Sequence, residues 1–197
     1  MTHIHAIPLA GEGSERVIRG GDRIFIRPLH AQDVELERHF IENLSPVSRR
    51  FRFLESMTTP SDGLLAQLTQ LDPATDMAYV AVTVTGSTEE QIGVARFSVT
   101  ADRLDCEFAV TVADRWQNKG LGTLLMQHLI DDAIDRGIET MHSSDARDNE
   151  LMRRFAAHLD LEHRSDPDDP SQIIYSLDLK GRRQRREVAL APVPSPA

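Results

Sequence analysis

The sequence predicts a mixed α/β (α+β) domain built on a central, largely antiparallel sheet. Three observations predict it. Apolar residues recur at helical spacing between residues 31 and 71. At residue 77 the period changes to that of strands, and three strand-like runs follow in succession. After residue 120, helical and strand-like segments take turns to residue 179. The chain has 197 residues, enough for one domain with a substantial core.

The elements follow in order. Residues 1–20, rich in glycine and polar groups, read as a flexible leader. "DRIFIRPL" (22–29) alternates and ends at a proline, which predicts a first strand. "AQDVELERHFIENL" (31–44) sets Val34, Leu36, Phe40, Ile41 and Leu44 near helical spacing. In "SPVSRRFRFLE", Ser45 is a cap and Pro46 takes the first helical position. "SDGLLAQLTQL" predicts a third short helix. "MAYVAVTV" and "QIGVARFSV" read as strands joined by the turn "TGSTEE", and "CEFAVTV" (106–112) as another. "LGTLLMQHLIDDAIDR" (121–136) has a broad apolar face, and Gly137 stops it. "IETMHSS" is strand-like. "DNELMRRFAAHL" is a helix capped by Asp148 or Asn149, and "QIIYSLDL" is a last strand. The tail, 180–197, is basic and then proline-rich, and reads as disordered.

Composition excludes several functions. The formal charge is −9. Residues 180–197 hold five basic residues and one acid, so the other 179 carry 17 basic and 30 acidic residues, a balance of −13. Such a body repels nucleic acid and suits a cationic partner such as an amine. No run is long and apolar enough for a membrane span, and the start lacks the order of a secretory signal. One cysteine, Cys106, permits no internal disulfide and no multi-cysteine zinc site. A cytoplasmic setting is the expectation. His128, His142 and His158 share no metal-ligand spacing, and "HIH" (3–5) sits in the leader, so no metal is expected.

The chemistry centres on "DRWQNKGLGTLL" (114–125), where a strand hands over to a helix. A helix start presents unpaired N–H groups and the positive end of the helix dipole, which favours an anion. Gly120 and Gly122 remove β-carbons that would keep a phosphate from those groups, and Lys119 adds a charge. Two glycines in a tight turn would give the same pattern without any ligand.

The run Gln117-Asn118-Lys119-Gly120-Leu121-Gly122 resembles the Q/R-x-x-G-x-G/A signature of the GNAT (GCN5-related N-acetyltransferase) superfamily. "CEFAVTVADRWQNKGLGTLLMQHLIDDAIDRGI" is similar to that family's central strand, loop and helix throughout. "DNELM" resembles the start of its next helix. "GDRIFIRPLHAQD", "LSPVSRRFRF" and "LTQLD" resemble the acetyltransferase domain of bacterial protein lysine acetyltransferases. The resemblance covers roughly residues 20 to 180 and delimits a domain at 21–179. It implies acetyl-CoA as co-substrate. It assigns its pyrophosphate to Gln117 through Thr123 and its pantetheine arm to Val110, Thr111 and Val112, with Asn149 on the cofactor side. The acceptor it implies is an amine, in this branch a protein lysine, such as one on an acyl-CoA-forming metabolic enzyme.

Acyl transfer also needs a base, because an amine of pKa about 10.4 is protonated at neutral pH. Strand alternation puts Glu107, Ala109 and Thr111 on one face and Cys106, Phe108, Val110 and Val112 on the other. A carboxylate in a central strand is costly unless solvated or paired, so Glu107 is the candidate, its pKa raised to suit. The alternative is a solvent-facing glutamate on a splayed strand. The resemblance also places its general base at Glu107 and its oxyanion donor at a backbone N–H near Val110. Glu107 and Val112 are five residues apart, about 17 Å of strand, comparable with an extended pantetheine arm. Two departures stand out. Many members carry a tyrosine general acid seven residues after the asparagine, where this chain has Ala156. Asp160 replaces a helix-ending glycine. Asn149 also reads as an ordinary N-cap, and Cys106 as a buried thiol. Two other readings of the chain are acylation of a small-molecule amine and a non-catalytic acyl-CoA-binding regulatory module.

Overall fold

The computed structural model describes residues 13–54 and 59–190, with side chains to 186. The histidines of "HIH" and the proline-rich run after 190 lie outside the described residues. Eight strands form one sheet: β1 (Ser14–Val17), β2 (Arg23–Pro28), β3 (Asp76–Thr85), β4 (Thr88–Val99), β5 (Asp105–Val112), β6 (Thr140–Ala146), β7 (Glu162–Ser165) and β8 (Gln172–Asp178). Their order is β1-β2-β3-β4-β5-β6-β8-β7. Every neighbour is antiparallel except β5 and β6, which run parallel. The six helices are α1 (Val34–Asn43), α2 (Pro46–Phe53), α3 (Asp62–Thr69), α4 (Leu121–Asp135), α5 (Glu150–His158) and α6 (Lys180–Leu190).

Alternation along the central strands divides the core in two. Val80, Val82 and Val94 face α1 and α3, meeting Phe40, Ile41 and Leu65. Ala81, Ala95, Phe97 and Phe108 face α4, meeting Leu125, Met126 and Leu129. Gly93 is where α4 comes down onto the sheet: a Cβ there would lie 3.1 Å from Leu125 and 3.4 Å from Leu121. The packing of α4 thus fixes where its N-terminus points, beside the end of β5.

Helix α2 forms as its sequence dictates. Ser45 Oγ accepts from Ser48 N at 3.1 Å, Pro46 follows, and Leu54 ends the helix with φ 54°. Asp114 holds this cap from the other side of the sheet's loop, accepting from Ser45 N at 2.9 Å and Ser45 Oγ at 2.7 Å. Gly137 stops α4 with φ 84°, and Asp160 takes the left-handed conformation with φ 56° that a glycine would adopt freely.

Three readings of the sequence need correction. The leader is not loose throughout, since Ser14–Val17 pairs with β2 as an edge strand. Residues 162–165 form a second edge strand, β7. The basic segment is not disordered up to residue 190 but helical, as α6. Arg182 donates to Leu159 O at 2.9 Å and Arg183 to Ile138 O at 3.1 Å. Arg186 pairs with Asp135 at 3.0 Å.

Candidate active site

The parallel pairing of β5 with β6 covers only Asp105–Glu107 against Thr140–His142. Beyond it, β6 stays with β8 and β5 stays with β4, so the two strands part. A cavity of about 590 Å³ fills the gap, lined by both strands, the 116–123 loop and helix start, α5 and the end of α2.

Hydrogen-bond parity decides which strand groups face the gap. Ala113 N donates to Ile92 O, and Thr100 N donates to Asp105 O, both in register with the β4–β5 ladder. Alternate residues of an antiparallel strand bond to the same neighbour. Glu107, Ala109 and Thr111 therefore use their main-chain groups on β4, whereas Val110 and Val112 turn theirs to the gap. Thr111 cannot offer its backbone to a ligand there. Its Oγ1 is buried without a partner among the described residues. The Val112 carbonyl accepts from Gln117 Nε2 at 3.1 Å, which ties the loop to the strand, so Gln117 serves the loop's shape.

At the far end of the gap, Asn118 and Gly120 are both left-handed, with φ 60° and 88°. Asparagine tolerates this better than most residues, and glycine freely. The N–H groups of residues 118–123 find no main-chain acceptor among the described residues, as a helix start requires. A Cβ on Gly120 would meet open space, so this glycine answers the backbone angle. A Cβ on Gly122 would sit 3.2 Å from the Phe155 ring, so this one admits α5. Neither glycine is explained by a phosphate alone; both leave the donors uncovered. Lys119 does not line the cavity. Its ammonium pairs with Asp22 at 2.8 Å and lies 4.5 Å from the Trp116 ring centre. Cations that do line the cavity include Arg19, exposed, from the turn after β1, and Arg154, exposed, of α5.

At the other end, Glu107 is exposed and lines the cavity. Cys106, on the opposite face, is fully buried and its thiol is pushed up to about 12 by burial, which excludes it as a nucleophile. Tyr79 donates to Asp132, and neither it nor Tyr175 lines the cavity; Ala156 is buried in the core. No phenol therefore reaches the site.

Asp145, on the β6 wall, escaped the sequence reading. Burial raises its carboxyl to about 6, against the lowering effect of the 3.0 Å bond from Asn149 Nδ2. Asn149 is an N-cap, with Oδ1 accepting from Met152 N at 3.1 Å, and its amide aims Asp145. An unfolded aspartate titrates near 3.9. Between about pH 4 and 6 the folded protein holds a proton that the unfolded chain has lost, so stability falls as pH rises through this window. Asp145→Asn is expected to raise stability by about 1–3 kcal/mol at pH 7 and to add nothing at pH 4. Thermal unfolding at both pH values measures it, and an equal effect at the two would contradict the assignment. Among the described residues, no cluster of metal-binding side chains gathers anywhere, and no helix is long and apolar enough to cross a membrane.

Comparison with known proteins bears on this geometry. The model of the Acetyltransferase (GNAT) family matches residues 47–160. Acetyltransferase PA5475 of Pseudomonas aeruginosa is 40% identical over 159 residues, covering 81% of this chain and 86% of that protein. Acetyltransferase Pat of Mycolicibacterium smegmatis is 30% identical over 143 residues, covering 72% of this chain and 42% of Pat. The GNAT domain of S. lividans PAT has the same fold, with a TM-score of 0.77 at 21% identity, covering 86% of this chain and 98% of that domain.

Proposed function

The chain belongs to the GNAT acetyltransferase family and is an N-acyltransferase, and from that premise we propose that it transfers the acetyl group of acetyl-CoA to a protein lysine. The observation that carries the reading is the gap between β5 and β6, with free helix N–H groups at one end and Glu107 at the other. The residues fit the cofactor. Uncovered donors at 118–123 suit a diphosphate, and the gap-facing groups of Val110 with the Val112 N–H suit an extended amide chain, which pairs as a strand would. Acetyl-CoA, when bound, supplies a thioester whose acyl carbon an amine can attack and whose thiolate leaves without an acid's help.

The protein's own residues do the rest. Glu107 takes a proton from the lysine ammonium, directly or through one water, so that the nitrogen lone pair is free to attack. The Val110 N–H points into the gap, where it receives the negative charge that grows on the acyl oxygen. No group of this chain is asked to protonate the leaving sulfur, which accords with Ala156 standing where a tyrosine would. The catalytic unit is residues 21–179, to which β1 and α6 add an edge and a brace.

A protein acceptor is supported by the resemblance of the β2 and α2 segments and the end of α3 to the lysine-acetylating branch. It is supported too by the rim. Leu54 and Leu151, both exposed, line the cavity, and exposed Val47 stands on α2 nearby. Apolar groups clustered at a mouth suit a macromolecule more than a small polar amine. Free-thiol release from acetyl-CoA tests the proposal. Release with lysine-containing proteins or peptides, and not with polyamines or amino sugars, is the expected result. Release with small amines alone would overturn the acceptor, and tight cofactor binding with no acceptor-dependent release would overturn the chemistry.

A further inference from the structure

Arg96, Glu37 and Arg52 gather near Glu107 on its face of the sheet. Arg96 of β4 stands opposite Ala109 in the ladder, two pairs along from Ser98 and Glu107 and so on the same face. Glu37 of α1 lies above it, and Arg52 reaches in from the last turn of α2. Glu37, 2% exposed, is fully engaged: Oε1 accepts from Arg96 Nη2 at 3.1 Å and Oε2 from Gln91 Nε2 at 2.6 Å. Arg96 also donates to Leu68 O at 2.8 Å.

Arg52 is left over. It is half-buried and lines the cavity beside Glu107. Its guanidinium makes no hydrogen bond or ion pair among the described residues, and its Cζ lies 5.0 Å from the Phe53 ring centre. Burial and then the like charge of Arg96 pull its pKa down to about 10, with Glu37 and Glu107 acting the other way. Such an environment disfavours a lone cation, and five N–H donors near a cavity wall are normally satisfied. If the role of Arg52 were to neutralise Glu107, the two would form an ion pair, and they do not. A guanidinium with free donors in a cavity matches a carboxylate, which it grips through two parallel bonds. The acidic body of the protein repels an anionic acceptor, so an acceptor of that kind needs a local cation to seat it.

Resting on the acyltransferase reading above, we propose that Arg52 binds a carboxylate carried by the acceptor beside its reacting amine, so that the enzyme selects lysines flanked by an aspartate or glutamate. Arg52 is then a specificity determinant, and Glu107 keeps its own oxygens for the proton.

Two peptides that differ only in Glu or Gln next to a single lysine test this, with thiol release from acetyl-CoA as the readout. The wild type is expected to favour the Glu peptide in kcat/KM by about ten-fold or more, the scale of a charge-assisted bond. The preference is expected chiefly in KM for the peptide. In Arg52→Gln the ratio should fall to within about two-fold of unity, and in Arg52→Lys to an intermediate value, since the charge remains and the fork is lost. The ratio is internal to each variant, so partial loss of folded protein does not move it. A wild type that does not discriminate, or an Arg52→Gln variant that still does, overturns the proposal. If no amine of any kind releases thiol, the transfer reading fails on its own. Peptide binding by fluorescence anisotropy then makes the same Glu-against-Gln comparison, and equal affinity for both peptides overturns the Arg52 site.

Discussion

Glu107→Gln is expected to lower kcat by 10²- to 10⁴-fold at neutral pH and to leave the affinity for acetyl-CoA within about two-fold. Glutamine keeps the size and the strand position of Glu107 but takes no proton. The pH profile separates a lost base from a disturbed fold. A lysine amine titrates near 10.4, so the fraction already deprotonated rises ten-fold for each unit of pH below that value. The deficit of the variant should therefore shrink as pH rises toward 10, whereas structural damage would not be repaired by alkali. The affinity stays because cofactor binding is assigned to Val110, Val112 and the 118–123 donors, at the other end of the gap. Single-turnover rates with a lysine peptide from pH 7 to 10, with acetyl-CoA titrated separately, give both quantities. Full activity in Glu107→Gln at pH 7 would remove it as base and turn attention to Asp145.

The second large effect concerns folding. Arg27, 6% exposed, donates to Asp33 through both terminal nitrogens, at 2.7 and 3.0 Å, and to Glu89 at 2.8 Å. Asp33 also accepts from His30 N at 2.8 Å, which fixes the turn leading into α1. Arg27→Ala leaves two buried carboxylates without their cation and is expected to cost about 3–5 kcal/mol in urea unfolding. Replacing all three, as Arg27→Met with Asp33→Asn and Glu89→Gln, is expected to restore much of that loss, because the penalty lies in the unpaired charges more than in the missing pair. A single-site loss below about 1 kcal/mol would mean that water reaches the carboxylates. The site depends on this cluster at one remove. It seats α1, α1 brings Glu37 to Arg96, and that pair occupies the partner Arg52 would otherwise take.

Local chemistry explains which parts of this fold were legible in the sequence. Ser45 followed by Pro46 marks a helix start wherever it docks, and Gly137 marks a stop. The alternation in residues 77–112 fixes two faces, and both are seen in the core. Edge strands β1 and β7 lack such a pattern. "SERV" and "EHRS" bury almost nothing, so only their hydrogen-bond partners define them. The helix over 180–190 was hidden for a related reason. It is held through arginines donating to carbonyls, and no hydrophobic period announces that. At the candidate site, Glu107, Val110 and the 118–123 main-chain donors could be put forward from the sequence because they lie within one strand, loop and helix start. Lys119 was misread because its partner, Asp22, is 97 residues away. Arg19, Arg52 and Asp145 belong to three separate segments that only the folded sheet brings to one cavity.

The last helix joins the body by two kinds of bond with different sensitivity to ions in solution. Arg182 and Arg183 reach carbonyls at part-buried positions, where dissolved salt has little access. Arg186 meets Asp131 and Asp135 in the open, at side-chain exposures of 40%, 66% and 64%. Counterions weaken that contact over a Debye length of about 10 Å at 0.1 M and only about 3 Å at 1 M. Concentrated electrolyte is thus expected to weaken the Arg186 contacts, and the exposed Lys180–Glu139 pair at the helix root, more than the carbonyl bonds of Arg182 and Arg183.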